Sequence, residues 1–245
     1  MKLTMLCFLW LFCTSTLKAQ SRDIIFNISP SGYPPYMIKS NTGQTHGIIY
    51  DVLNIIANKL GHKVVVVGIP KNREVIQLNS GELDANALAI EWVRNPEDYV
   101  FTDVIVVARD VLFSAEIAPL TFNRLEDLYG KTLGTHLGYS YPYLQDSFDN
   151  EQITASQATS EKAMLGKVLA ERTQGAVVNE FVGQWLIKNT PRWQGKFVIA
   201  KKEIGGFDFR IQFSKKWQAF VVRFNRELKT MKKEGRLKAI LQSYR

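Results

Sequence analysis

GIIYDVLNIIANKLGHKVVVVG, residues 47–68, decides the fold. Apolar side chains at Ile48, Ile49, Val52, Leu53, Ile55, Ile56 and Leu60 recur at the spacing of one helix face, and Gly61 ends the run. HKVVVVG (62–68) follows at once and reads as a buried, valine-rich strand. DIIFNIS (23–29) before the helix reads as another strand. Strand, amphipathic helix and buried strand in that order make a parallel unit with a helical crossover.

The same alternation continues in both directions from this unit. A short helix is predicted over Asn72 to Leu78, and SGELDANALAI turns into a strand at Ala85. The pattern then restarts with a long extended segment, VIVVARDVLFSA (104–115). Asn123 with Glu126 three residues on predicts a capped short helix to Tyr129. KTLGTHL (131–137) is a strand, Ser140 to Phe148 a helix, ITAS a short strand and Ser160 to Arg172 a helix. GAVVNEF is a strand and Val182 to Lys188 a helix. KFVIAKK and FDFRIQF (207–213) are two further strands. A closing helix from about Lys215 to Lys233 carries the stripe Trp217, Phe220, Val221, Phe224, Leu228 and Met231. Gly235 breaks it before a last helix, RLKAILQSY. The class is α/β, in two similar halves. Tight breaks near Val107–Asp110 and Gly205–Gly206, with no Pro-, Gly- or Ser-rich tether, suit two short crossings that act as a hinge.

Composition narrows the function. The 245 residues are 46% hydrophobic and 22% charged, ordinary for a globular chain. Lys2, the apolar run Leu3 to Cys13 and the small or polar residues to Ala19 read as a secretory signal over residues 1–20. Cys7 and Cys13 both lie within it, so the mature chain is expected to use no disulfide or thiol chemistry. Removing Lys2 and Lys18 lowers the formal charge from +8 to +6. That excess is spread out and densest in the C-terminal helix, as on a solvated helix face, so no nucleic-acid partner is expected. His46, His62 and His136 are scattered, without metal-ligand spacing, and neither a metal nor a cofactor is implied.

The ordered set YPPY (33–36), GIIYDVLNIIANKLGHKV, LNSGELDANALAI, the Phe and Thr of VFTD, RLEDLYGKTLGTHLGYSYP, GAVVNEFVGQWLI and FNRELKTMKKEGRLKAIL resembles the bacterial family 3 solute-binding proteins. These are extracytoplasmic receptors of polar amino-acid ABC transporters, with a type II periplasmic-binding fold. The resemblance implies two doubly wound α/β lobes joined by a two-strand hinge. Lobe 1 would be residues 21–108 plus 207–245, and lobe 2 residues 109–206. It also implies a periplasmic location, a monomer, and a small polar solute held between the lobes. The partner would be an ABC permease, or a membrane sensor if the chain is an orphan receptor.

Candidate ligand residues follow from the residue types and from this resemblance. Tyr33 and Tyr36 offer aromatic faces to an apolar stem or a cation. Gly138, Tyr139 and Ser140 sit between strand and helix, where backbone amides suit an anion and Ser140 could cap the helix. His136 ends the preceding strand on the same side. Glu180 ends GAVVNE beside Asn179, where the resemblance implies an acid for a ligand ammonium group. In AIEWVRNPEDYVFTD (89–103), Glu91 stands where related receptors carry a small or hydroxyl residue. Arg94 lies seven residues before Phe101, one more than usual, so it is either a shifted carboxylate clamp or the ion-pair partner of Glu91. This weakens the case for an ordinary α-amino acid and leaves room for a cationic, peptide-like or modified ligand. No catalytic residues are assigned. Glu91, Glu180 and His136 form no paired acid–base set in the sequence, so binding without turnover is expected, with a same-fold enzyme such as a cyclohexadienyl dehydratase the less favoured alternative.

Overall fold

The computed structural model describes residues 22–30, 32–39 and 44–245, without the side chains of Lys71 and Asn72. The expected signal segment and both cysteines lie outside these residues. In chain order the elements are β1 (Ile24–Asn27), β2 (Ile38–Lys39), β3 (Thr45–His46), α1 (Ile48–Lys59), β4 (Val64–Val67), α2 (Lys71–Ser80), β5 (Ala85–Leu88), β6 (Tyr99–Phe101) and β7 (Val106–Ala115). They continue as β8 (Thr132–His136), α3 (Pro142–Asp149), β9 (Thr154–Ala158), α4 (Glu161–Leu169), β10 (Gly175–Asn179), α5 (Glu180–Lys188), β11 (Phe197–Ser214), α6 (Gln218–Lys233) and α7 (Arg236–Ser243).

The opening stretch folds as its pattern demands. α1 buries Ile48, Ile49, Val52, Leu53, Ile56 and Ala57. Ile55 is the exception and faces outward. The helix start is tied to the aromatic loop, because the Ile48 and Ile49 amides donate to the carbonyls of Pro35 and Tyr36. Those amides have no partner inside the helix, so the loop completes the N-terminus. Gly47 is required there. Its φ is +126°, and an added Cβ would lie 2.6 Å from the Tyr36 carbonyl oxygen. β4 pairs in parallel with β1 but stands at the edge of the sheet, with Val65 exposed. The valine run reads in the sequence as a buried strand. An edge strand has a neighbour on one side only, and that lowers its burial.

The main sheet runs β4-β1-β5-β11-β7-β10-β8-β9, with β6 also on β11. β1, β4 and β5 are parallel, as are β8, β9 and β10. Between these two parallel blocks lie the antiparallel strands β7 and β11. KFVIAKK and FDFRIQF, expected as separate strands, are one 18-residue strand with register shifts between Ile199 and Gly205. It pairs with β7 along Phe197–Phe209 and with β5 along Arg210–Phe213. The Gly205–Gly206 break is therefore an irregularity within β11. Gly206 lets β11 press on β7, since an added Cβ would meet the Ala108 carbonyl oxygen at 2.3 Å.

The apolar core falls into clusters on this plan. One packs α1, α6 and α7 on the first parallel block and includes Phe26, Leu53, Phe213, Trp217, Phe224 and Leu228. Every residue of the predicted α6 stripe is buried. The second block is covered on one side by Met164, Leu165, Val168 and Trp193, and on the other by Leu128, Leu144 and Ile153. Helices on both faces of parallel strands give the doubly wound arrangement. Fully buried Asp84 joins elements of the first block. It accepts from the Ile25 amide (2.9 Å) and Trp217 Nε1 (2.9 Å) and pairs with Lys216 (2.7 Å).

Two local expectations are corrected. Asp127, not Glu126, closes the turn after Asn123, because its Oδ2 accepts from the Asn123 and Arg124 amides. α3 starts at Pro142 rather than at Ser140, and no side chain caps it.

Candidate functional site

The seam between the two parallel blocks gathers aromatic and polar side chains from both. On the first side is the loop after β1. The Tyr33 and Tyr36 rings are stacked at 5.5 Å. Tyr36 also packs on Phe209 of β11 (4.7 Å) and Phe181 of α5 (6.0 Å), and it has no exposed surface. Its hydroxyl donates to Asn179 Oδ1 at 2.7 Å, so the loop of one block is bonded to the strand end of the other. Burial pushes both hydroxyls well above the ordinary tyrosine range.

On the second side, Asn179 closes β10 and caps α5, its Oδ1 also accepting from the Val182 amide. It stands opposite Asp110 of β7 in the strand register. Glu180 does not end the strand but opens the helix. Its carboxylate takes both Nη2 (2.6 Å) and Nε (3.2 Å) of Arg109 through one oxygen. The Glu180 side chain is 13% exposed, so its charge is neutralised within the protein.

The segment after β8 supplies the third group. The His136 ring stacks on Tyr139 at 4.0 Å, and the His136 amide donates to the Tyr141 hydroxyl at 2.7 Å. Gly138 has φ +83° with open space where a Cβ would stand. Tyr139 and Ser140 are exposed, and Ser140 lies two residues ahead of α3. Burial and the Asp110 and Glu161 charges raise the Tyr139 pKa, and burial pushes Tyr141 up to about 12. Tyr33 feels Glu161, Tyr139 and Asp110 as well. Tyr33, Tyr36, Tyr139 and Asn179 are thus brought together, with His136 stacked behind Tyr139.

Glu91 and Arg94 are not part of that group. Both are exposed, and among the described residues no ion pair joins them. Glu91 lies in a short 3₁₀ turn after β5 and lines a cavity of about 760 Å³. Arg109, Tyr143, Lys202, Phe207 and Asp208 also line this cavity, which runs along β7 and β11. Trp92 covers Phe207 at 4.6 Å.

Sequence reasoning passed over Asp110, Glu161 and Phe209. Asp110 is partly buried, and burial raises its pKa to about 6, with Glu161 adding to the rise and the Asn179 side chain opposing it. The signal is an Arg-Asp pair inside the apolar run VIVVARDVLFSA, which by itself reads only as a break in that run. Among the described residues no cluster of three His, Cys, Asp or Glu side chains could hold a metal, and no helix is long and apolar enough to cross a membrane.

Two doubly wound blocks, linked by paired strands with polar and aromatic groups at the seam, give the type II periplasmic-binding fold. The model for bacterial extracellular solute-binding proteins, family 3, matches residues 25–245, and the chain belongs to that family. The second substrate-binding domain of Lactococcus lactis GlnP, in an open conformation, is similar at TM-score 0.75 and 20% identity, over 92% of this chain and 96% of that one. An ancestral cationic amino acid solute-binding protein aligns at TM-score 0.74 and 17% identity, over 91% and 95%. A histidine kinase sensor domain with similarity to periplasmic binding proteins aligns at 0.68 and 20%, over 92% and 96%. A search of curated protein sequences found no match.

Proposed function

We propose that this chain is a periplasmic receptor that captures a small polar solute at the seam and presents it to an ABC permease. The observation that carries this reading is the convergence of Tyr33 and Tyr36 with Tyr139, Asp110 and Asn179 across the two blocks. A site shared by two lobes couples ligand to their relative position, because the solute is held fully only when both walls engage it. Lobe 1 is taken as 21–108 plus 207–245 and lobe 2 as 109–206, so β7 and β11 form the hinge. Residues 1–20 act as the export signal.

In this reading Tyr33 and Tyr139 flank the solute, and Asn179 and Asp110 form the floor. His136, Gly138 and Ser140 supply the second-lobe rim. Glu91, with the cavity beside it, extends the site towards β11, and Arg94 stands outside as a surface cation. Tyr36 anchors the seam from beneath. Glu180 holds Arg109.

A thermal-shift screen of amino acids, polyamines and short peptides tests the proposal, because a ligand specific for the native state raises the midpoint. At a concentration of 100 Kd the stabilisation is about 2.7 kcal/mol. No shift with any member would refute solute capture of this kind. The likeness to a histidine kinase sensor domain supports a second reading, in which the liganded lobes signal to a membrane protein. Uptake of a hit compound by cells, lost on deleting this chain, separates transport from signalling. Consumption of a bound compound by the purified protein would favour a same-fold enzyme.

A further inference from the structure

Two carboxylates at the seam differ in one respect. Glu180 has its cation in place, with Arg109 Nη2 at 2.6 Å. Asp110, in the next position of the same strand as Arg109, has no cation within ion-pair distance among the described residues. Its surroundings are Tyr33 and Tyr36 of the first-block loop, Tyr139 and Tyr141 after β8, Glu161 at the start of α4, and Asn179. None of these supplies a positive charge; the cationic groups at the seam are engaged elsewhere, Arg109 with Glu180 and Arg245 over the Phe181 ring, and His136 stacks on Tyr139. Asn179 is 5% exposed, and its Nδ2 meets no acceptor in hydrogen-bonding geometry. A buried donor and a partly buried acceptor therefore stand opposite each other across β10 and β7, near enough for the Asn179 side chain to hold down the Asp110 pKa but without a hydrogen bond of good geometry, and Asp110 has no cation among the described residues. Buried polar groups are ordinarily satisfied, and leaving them unmade is costly.

We propose that Asp110, and not Glu180, is the counter-ion for a positively charged nitrogen of the solute, with Asn179 Nδ2 donating to an acceptor next to that nitrogen. The inference rests on the solute-capture reading and specifies its chemistry. The solute presents an ammonium or guanidinium group towards β7, between the Tyr33 and Tyr139 rings, where aromatic faces favour a cation. The raised pKa of Asp110, about 6, fits an acid waiting for a cation.

The probes are L-arginine, L-glutamine and putrescine, titrated calorimetrically into the wild type, Asp110→Asn and Glu180→Gln. For each probe that binds the wild type, Asp110→Asn is expected to weaken binding about 30-fold or more, as for loss of a buried charge pair. Glu180→Gln is expected to change it within about threefold. Wild-type affinity should fall about tenfold from pH 7.5 to pH 5 as Asp110 takes up its proton, and this dependence should vanish in Asp110→Asn. Without a probe, Asp110→Asn should melt no lower than the wild type at pH 7.5. A purely structural role would lower that midpoint. Binding that survives Asp110→Asn, or falls with Glu180→Gln alone, overturns the inference and leaves solute capture standing. Failure of all three probes and of the wider thermal-shift screen on the wild type would instead remove solute capture, and this inference with it.

Discussion

Two aspartates in this chain behave in opposite ways. Asp84 is fully buried but satisfied by the Ile25 amide, Trp217 Nε1 and Lys216. Asp84→Ala strips three donors of their acceptor at once. It should cost about 3 kcal/mol, read as a Tm lower by about 6–12 °C. Asp110 has no cation within ion-pair distance among the described residues, and its folded pKa, about 6, stands above the value near 4 of an unfolded aspartate. The folded chain therefore holds this proton more tightly than the unfolded chain. The contribution of Asp110 to stability worsens as pH rises from about 4 to about 6 and is least favourable above that. Asp110→Asn should raise unliganded stability at pH 7.5 by about 1–2 kcal/mol, and the gain should shrink towards pH 4.5. Denaturant unfolding at both pH values checks this, and a gain that grows on acidification would contradict it. Asp110 was overlooked in the sequence because strand context alone does not show whether a lone acid meets a cation.

At the scale of elements, α5 joins the site to the core of the second block. Gly183 faces Phe113 of β7 so closely that an added Cβ would lie 2.2 Å from the ring. The same helix sends Phe181 towards Tyr36 and Arg245, whose guanidinium lies 4.7 Å over the ring. Gly183→Ala should push α5 off β7 and cost about 1–3 kcal/mol by overpacking. Phe113→Leu in the same chain should recover part of that loss, and a double-mutant cycle in urea measures the coupling. Additive effects would mean that the helix absorbs the methyl without moving. The period of GIIYDVLNIIANKLG made α1 legible, as did the stripe of α6, because a single buried face imposes a repeat of 3.6. Glu180 reads as the end of a strand because the apolar run GAVV leads up to the Asn179–Glu180 pair and Phe181 follows it. Only the Asn179 cap, made by a side chain onto the Val182 amide, sets the boundary one residue earlier.

Across the whole molecule, β11 is the structural link, pairing with β5 of the first block and β7 of the second without a break in the chain. The Tyr36–Asn179 bond adds a cross-seam tie. Unfolding of the unliganded protein should therefore be a single calorimetric transition, with van 't Hoff and calorimetric enthalpies in agreement. Two resolved transitions would show that the blocks fold independently. Composition and hydrophobic period alone established an α/β chain in two halves, the helices with one buried face and the order of most strands. Those properties depend on neighbours within a few turns of chain, and sequence carries them directly. Tertiary structure decided that two expected strands are one, that the valine run is an edge, that Glu180 is bound to Arg109, and that Glu91 and Arg94 stand apart. Each of these depends on which distant residue comes within a few ångströms. That is fixed by packing of the sheet and helices, so the opening pattern of residues 47–68 announces the fold while the charge at the seam is assigned only once the chain has closed on itself.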